Sequence, residues 1–473
     1  MEAPPPLAPE VLASLPRAVV AYIAWLEKQV AVLTARVAEL EARLGQTPQN
    51  SSKPPSSTHP HDKPAPRPQA ASPRRRRGGQ PGHPKCQRAL IPTEQCQKVV
   101  PCRPAACRRC GARLSGVDSE PLRHQVWELP EIQPHVTEYQ QHRLVCSCGC
   151  STCGRLPAGV PSGEAGPRMI AFAALLMACF RQSKRGVAQA AQFLSMLLGQ
   201  PASAAWLVLL QNRAAAAVQP AYDELAQRLP KQEVLYIDES PTKEGRAKAW
   251  VWTLVAASFT FFACRLSRGA KVLEQLLGAK FDGVIHCDRA RMYWRYGRLQ
   301  WCWAHWQRNF QALIDHPCKT RQRLGYDLMG PTQDMFALWQ KVRDGTLSRR
   351  AFRRRLQPIR PALEGALLRG YHNDLTHGFC QELHEHREWL WTFADYEDVE
   401  PTNNEAERAL RHAVIWRKLS FGTQSAKGSR FVERLLTVIE TCRWQQRNVF
   451  TWLTASVEAY QHGRPHLSLL SGA

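Results

Sequence analysis

The sequence predicts a multidomain α/β protein with a ribonuclease-H-like catalytic core, and three observations carry that prediction. Between residues 233 and 314 the apolar pattern reads as three strands, a helix, a strand, a short helix, a strand and a helix. Antiparallel first strands joined to later parallel ones give a mixed sheet of that type. Two of those strands, 234–238 and 284–288, end in a carboxylate, Asp238 and Asp288. Ahead of the core lie a heptad-patterned helix, a Pro- and Ser-rich run and a crowded set of cysteines, each with the composition of a separate module.

The 473 residues carry 63 Lys+Arg against 40 Asp+Glu, a net charge of +23, which points to a polyanionic partner, nucleic acid first. The longest apolar stretches, 169–180 and 250–264, fall short of the ~20 residues a bilayer requires, and the N-terminus has no basic stretch before an apolar one. No membrane partner is therefore expected.

The first module, 15–45, is a coiled-coil dimerisation helix. Ile23, Val30, Val37 and Leu44 fall at a positions and Leu26, Leu33 and Leu40 at d positions, a pattern that favours a parallel two-stranded pair. The alternative is an amphipathic helix packed on its own protein. Residues 46–92 have almost no large apolar side chains and read as a disordered basic linker. Residues 51–110 hold 13 Lys+Arg and 2 Asp+Glu, and Arg74, Arg75, Arg76 and Arg77, followed by a Gly-rich stretch, make a flexible tape suited to tracking phosphates.

Nine of the 16 cysteines fall between Cys86 and Cys153, and the zinc ribbon is placed at 93–160. Cys107 and Cys110, with Gly111 after them, form a knuckle, and Cys146 and Cys148 a second pair; four thiolates at such spacing suit tetrahedral Zn²⁺. Cys150 and Cys153 form a competing pair. Residues 126–139 read as short strands of the ribbon. Residues 161–230 are a helical module in which a break at 199–201 and an N-cap at Ser203 resemble a helix-turn-helix, a spacing that any helical bundle also produces.

The core is divided into 231–315 and 401–473, the latter with C-terminal helices, around a helical insertion at 316–400. Within the insertion, 341–360 holds eight Lys+Arg and one Asp, a second phosphate-binding candidate or a solvated helix face. In the predicted topology the strands bearing Asp238 and Asp288 are neighbours, and a third acid is expected where 402–408 opens a core helix. Three convergent carboxylates can hold two Mg²⁺ ions for in-line attack on a phosphodiester.

These residues resemble the large transposase of the IS66 family of bacterial insertion sequences. The resemblance runs from the zipper to the C-terminus through LGQTPQNSSKPPSS, RRGGQPGHP, the CxxCG knuckle, LYIDES, VIHCD, WCWAH, NNEAERALRHAV, RKLSFGTQSAKG and LLTVIETCR. It implies a DDE transposase with two Mg²⁺ (or Mn²⁺) ions and a structural Zn²⁺. The third acid of the family follows Ala and precedes Arg, which selects Glu407 rather than Glu405. Thr402 stands where the family usually has Asp, and the second knuckle is CxC where CxxC is common. Between Asp288 and Glu407 lie 118 residues, which marks the insertion. His305, Arg308 and Trp303 also match, His305 either positioning DNA or serving as a structural histidine. Arg408, Arg411, Arg417 and Lys418 lie on the active face as phosphate contacts. The implied partners are double-stranded DNA at the element ends and target, a second copy or larger synapse, and accessory proteins of the element, in the bacterial cytoplasm at the nucleoid. A nuclease of the same fold and a non-catalytic zinc-containing DNA-binding protein are the rival readings.

Overall fold

The computed structural model describes residues 11, 14–51, 89–160, 163–182, 189–199 and 202–470. The chain divides into two compact units, residues 62–136 and the remainder. Most of the predicted linker, including Arg74 to Arg77, lies outside the described residues.

In the smaller unit, Cys107 and Cys110 sit in a tight turn. The Cys107 N–H donates to the Ala112 carbonyl at 2.8 Å and the Gly111 N–H to the Cys107 carbonyl at 2.9 Å. Gly111 takes φ +72°, a conformation open to glycine at little cost. The expected strands at 126–139 are absent from the described residues: Pro130 and Pro134 cannot donate to a ladder, and the segment is almost wholly exposed.

The larger unit begins with helix α1, Arg17–Leu44. Its heptad positions face solvent: Leu26, Val30, Leu33, Val37, Leu40 and Leu44 are all exposed. By length and composition α1 is also long and apolar enough to cross a membrane, against the expectation that no such segment exists. Glu27 and Lys28 break its apolar sequence without breaking the helix, and Glu39 pairs with Arg36 at 2.7 Å and Arg43 at 3.1 Å.

Strands β1, Arg143–Val145, and β2, Ser151–Cys153, pair antiparallel around a turn that holds Cys146 and Cys148, with Gly149 at φ +83°. Helices α2, Pro167–Ala178, α3, Gln189–Leu198, α4, Ala204–Ala217, and α5, Gln219–Arg228, follow. The Ser203 hydroxyl caps α4 by accepting the Trp206 N–H at 3.1 Å. Assigned from sequence to a module of its own, this region shares one continuous core with the sheet and the C-terminal helices. Leu207, Leu210, Gln211, Ala214 and Ala215 of α4 recur at i, i+3, i+4, i+7 and i+8 and bury one face of the helix in that core, while Val208 and Leu209 on the other side are exposed.

The mixed α/β expectation holds in the next segment. Strands β3, Val234–Glu244, β4, Ala247–Val255, and β5, Thr260–Arg265, form an antiparallel meander; α6, Ala270–Leu277, then leads to β6, Val284–Cys287, and β7, Leu299–Trp301. The sheet order is β5-β4-β3-β6-β7, with β6 parallel to both β3 and β7. The hairpin is longer than the sequence reading made it, because pairing continues through Glu244 with Ala247 and leaves only Gly245 and Arg246 in the turn.

Helix α7, Trp303–Ile314, enters the insertion, which is helical: α8, Lys319–Arg343, α9, Arg349–Arg355, α10, Ile359–Tyr371, α11, His377–Glu385, and α12, Thr392–Asp395. An aromatic seam joins it to the core. Trp301 packs against Trp306 and Trp389, Trp303 against Trp391, and Trp306 against Phe379, with centroids 5.1–6.1 Å apart. Of the basic run 341–360, Arg349 and Arg353 donate to the carbonyls of Phe393 and Ala394 and so close the end of α12 rather than offering themselves to phosphate.

The chain returns through α13, Asn404–Ser420, α14, Ala426–Trp444, and α15, Val449–Gln461. Helix α14 covers the outer edge of β5. The N–H groups of Thr260, Phe262 and Cys264 donate to Thr441 Oγ1 (3.1 Å), Thr437 Oγ1 (2.9 Å) and Glu433 Oε2 (2.8 Å). Four residues of helix advance ~6 Å and two residues of strand ~6.6 Å, so side chains at i, i+4 and i+8 meet alternate N–H groups. Thr437→Val strands the buried Phe262 N–H and is expected to cost about 1–3 kcal/mol in urea unfolding, whereas Thr437→Ser stays near wild type. Equal stability of the two variants would contradict this.

Candidate active site

Asp238 and Asp288 come together through strand register. The β3–β6 pairing aligns Tyr236 with His286, so the two aspartates occupy matching positions two residues further on. Adjacent strands lie ~4.8 Å apart. Asp238 is not at the end of its strand, as the sequence suggested; β3 outruns β6 and continues with β4 alone, which leaves Asp238 beside the end of the parallel pairing. Its Oδ1 accepts the Glu239 N–H at 2.9 Å, and Asp288 Oδ1 accepts the Ala290 N–H at 2.8 Å.

Glu407 follows the insertion in sequence, and residues 398–403, which lead into its helix, are stitched to the sheet. The Tyr236 hydroxyl donates to the Asp398 carbonyl (2.8 Å) and accepts the Glu400 N–H (3.0 Å). His286 Nε2 lies 2.8 Å from the Glu400 carbonyl, and the Trp303 N–H donates to the Pro401 carbonyl at 3.0 Å. Asn403, buried just before α13, donates through Nδ2 to the Ile237 carbonyl at 2.8 Å and through its N–H to Cys302 Sγ at 3.2 Å. Glu407 then falls in the first turn of α13, 3.7 Å from Arg308 and 4.0 Å from His305 Nδ1.

The cluster is electrostatically loaded. Burial, then the charges of Glu239 and Asp288, push the Asp238 carboxyl well above the usual range, with Glu407 adding to the rise. Burial also raises Glu407, against Arg308 and Arg411. Burial beside Arg308 lowers His305 to about 4 and keeps it neutral. Half-buried carboxylates, with the Asp238 carboxyl raised by its acidic neighbours, offer oxygen donors of the kind a hard divalent cation takes. The Cys302 thiol, His305 Nδ1 and a Glu407 oxygen also lie within 4.8 Å of one another. Burial raises the Cys302 thiol to about 11, so thiolate ligation is the less favoured use of that group.

A carboxyl whose pKa is raised by folding binds its proton more tightly in the native state. The stability it contributes is full below the unfolded value and is lost as pH rises through the folded one. Metal-free protein is therefore expected to lose melting temperature from about pH 4 toward neutrality, with a shallower fall in Asp238→Asn. Adding Mn²⁺ at neutral pH raises the wild-type melting temperature. Identical pH dependence in wild type and variant would contradict this.

Sequence reasoning missed a group beside the triad. Glu239 is buried, accepts the Tyr293 hydroxyl at 2.6 Å and Arg268 Nε at 2.6 Å, and Arg268 also stands 3.6 Å from Asp288. Arg268 thus bridges an inner acid to one of the candidate ligands. The carboxylate next to Asp238 in the sequence was the available signal. Among the predicted phosphate contacts, Arg408 is exposed and 3.5 Å from Glu405, Arg411 is exposed, and Arg417 donates to the Pro241 carbonyl. Lys418 is exposed near the end of α13.

The cysteine pairs have matching local chemistry. Backbone N–H groups of Cys110 and Arg109, then the Cys110 thiol, hold Cys107 below its ordinary value. The backbone N–H and thiol of Cys148, then the Ser147 hydroxyl, do the same for Cys146. Cys107 and Cys110 belong to the smaller unit, and Cys146 and Cys148 to the larger.

Residues 164–430 match the profile described as the transposase IS66 family, more than half of the chain. The chain belongs to the IS66 transposase family. Asp238, Asp288 and Glu407 all fall inside the matched segment. Residues 5–89 match a second profile, a family of unknown function, DUF6444. An uncharacterized protein, y4qI of Sinorhizobium fredii, is 24% identical over 278 residues, 51% of this chain and 50% of that protein. The transposase thus spans about half the length of the curated relative it matches.

Proposed function

We propose that this transposase binds the terminal inverted repeats of its insertion sequence and catalyses 3′-end cleavage and strand transfer on a ribonuclease-H-like core. What supports the reading is the β3–β6 register, which sets Asp238 beside Asp288, together with the anchored 398–403 segment, which leads into the helix that bears Glu407. Asp238, Asp288 and Glu407 would hold two Mg²⁺ or Mn²⁺ ions, which supply activation of the attacking oxygen and charge neutralisation at the leaving one. Water attacks the phosphorus at the element end, the 3′ oxygen departs with the bond's electrons, and the proton lost by water passes to solvent. The freed 3′-OH then attacks a target phosphodiester by the same in-line displacement. Arg308 and His305 flank Glu407 and orient it, while Arg408, Arg411, Arg417 and Lys418 along α13 hold the DNA backbone.

The solvent-facing heptad of α1 suits pairing with a second copy in a synapse. Each cysteine pair is suited to zinc as a thiolate ligand, the Cys107 thiol being lowered beside Cys110 and the Cys146 thiol beside Cys148. The Arg74 to Arg77 tape adds phosphate contacts, and the reaction takes place on bacterial DNA in the cytoplasm.

The test incubates purified protein, with the element's other gene products supplied, with Mg²⁺, labelled terminal-repeat DNA and a target plasmid. Joined products are expected. Cleavage without joining would make the protein a nuclease, binding without cleavage a regulator, and absence of binding would overturn the reading altogether.

A further inference from the structure

At the end of α13 the chain holds a phenylalanine out in water. Phe421 is 83% exposed and sits at φ 58°, ψ 22°, a left-handed conformation that bulky side chains rarely adopt. Its N–H donates to the Arg417 carbonyl at 2.8 Å and closes the helix at the position where glycine is usual. Glycine comes one residue later, and there it is required: a Cβ on Gly422 would meet the Lys243 carbonyl at 2.5 Å.

The segment around the ring is fixed to the tip of the β3–β4 hairpin. The Thr423 N–H donates to the Lys243 carbonyl at 2.9 Å, and the Gly245 N–H donates to the Thr423 carbonyl at 2.8 Å. The Glu244 carboxylate accepts the Ser429 hydroxyl, which in turn lies 2.8 Å from Thr423 Oγ1. Strain held this firmly at an exposed side chain points to use rather than accident.

The surroundings are basic. Lys243, Arg246 and Lys248 come from the hairpin, Arg417 and Lys418 from α13, and Lys427 from α14, all but Arg417 exposed. The one acid of 241–248, Glu244, is committed to Ser429. A π-face among cations matches a polyanion that carries stacked rings, and charge complementarity favours DNA over a protein surface. Helix α13 links this patch to Glu407. Fourteen residues at 1.5 Å each make about 21 Å, or roughly six base pairs of duplex.

We propose that Phe421 and the hairpin tip clasp DNA about six base pairs from the scissile phosphate, the ring stacking on a base displaced from the helix while Lys243, Arg246 and Lys248 hold the flanking phosphates. The inference rests on the transposase reading above and adds to it a second contact zone with a base-stacking side chain.

The test uses full-length protein and a terminal-repeat duplex with 2-aminopurine placed four to eight positions from the cleaved end. Wild type is expected to raise the fluorescence severalfold at one of these positions; Phe421→Ala loses the rise and Phe421→Trp keeps it. The triple variant K243A/R246A/K248A lowers the salt slope of binding by about 2–3. Phe421→Gly, which suits the left-handed backbone, melts no lower than wild type and also loses the signal, so that loss is not a folding defect. Binding with no Phe421-dependent fluorescence, or an unaltered salt slope, overturns this inference and leaves the transposase reading standing. Failure of the wild type to bind the duplex overturns both.

Discussion

Asp238→Asn and Glu407→Gln each reduce 3′-end cleavage and joining by roughly a thousandfold or more, while affinity for terminal-repeat DNA stays within about twofold. Each change removes a charge from the cluster and leaves size and hydrogen bonding nearly intact. For Asp238 the loss of charge also relieves repulsion from Glu239 and Asp288, so that variant melts no lower than wild type without metal. Loss of activity with stability retained is the signature that separates a catalytic carboxylate from a structural one. The assay is single-turnover cleavage of labelled ends with a gel-shift control, and near-wild-type cleavage in either variant would remove that acid from the site.

The second large effect is expected at Asn403, which touches no substrate. Its amide holds the Ile237 carbonyl and its N–H meets Cys302, so one residue ties the start of α13 to both β3 and the entry of α7. Asn403→Ala leaves that buried carbonyl unpaired, at a cost of about 1–3 kcal/mol. It also frees Glu407 to move relative to Asp238, and a displacement of ~1 Å lowers the rate by about a hundredfold. Rate and stability measured on the same preparation check this. A stability loss with unchanged cleavage would make Asn403 a packing residue only.

Much of the core was legible because strand patterns are local. Apolar runs at 234–238 and 284–288 mark β3 and β6, and each brings its aspartate to the edge of the parallel pairing. What local pattern does not carry is where pairing stops. The sequence ended β3 at Asp238 because the next residues are polar, yet β4 pairs with them through Glu244. The same limit applies to 126–139, where apolar side chains suggested strands but the prolines leave no ladder. Net charge misled at Arg349 and Arg353, which close a helix end. A basic side chain and a phosphate contact look alike until the nearby carbonyls are known. The stitching of 398–403 and the Glu239–Arg268 bridge depend on contacts between residues up to 166 positions apart, which no spacing rule reaches.

If Asp238, Asp288 and Glu407 share one divalent-cation site, Mn²⁺ binding followed by electron paramagnetic resonance detects it without reference to activity. Titrated into full-length protein with the terminal-repeat duplex bound, wild type is expected to take up two Mn²⁺, and Asp238→Asn, Asp288→Asn and Glu407→Gln each to lose at least one. Unchanged uptake in all three variants would contradict the account.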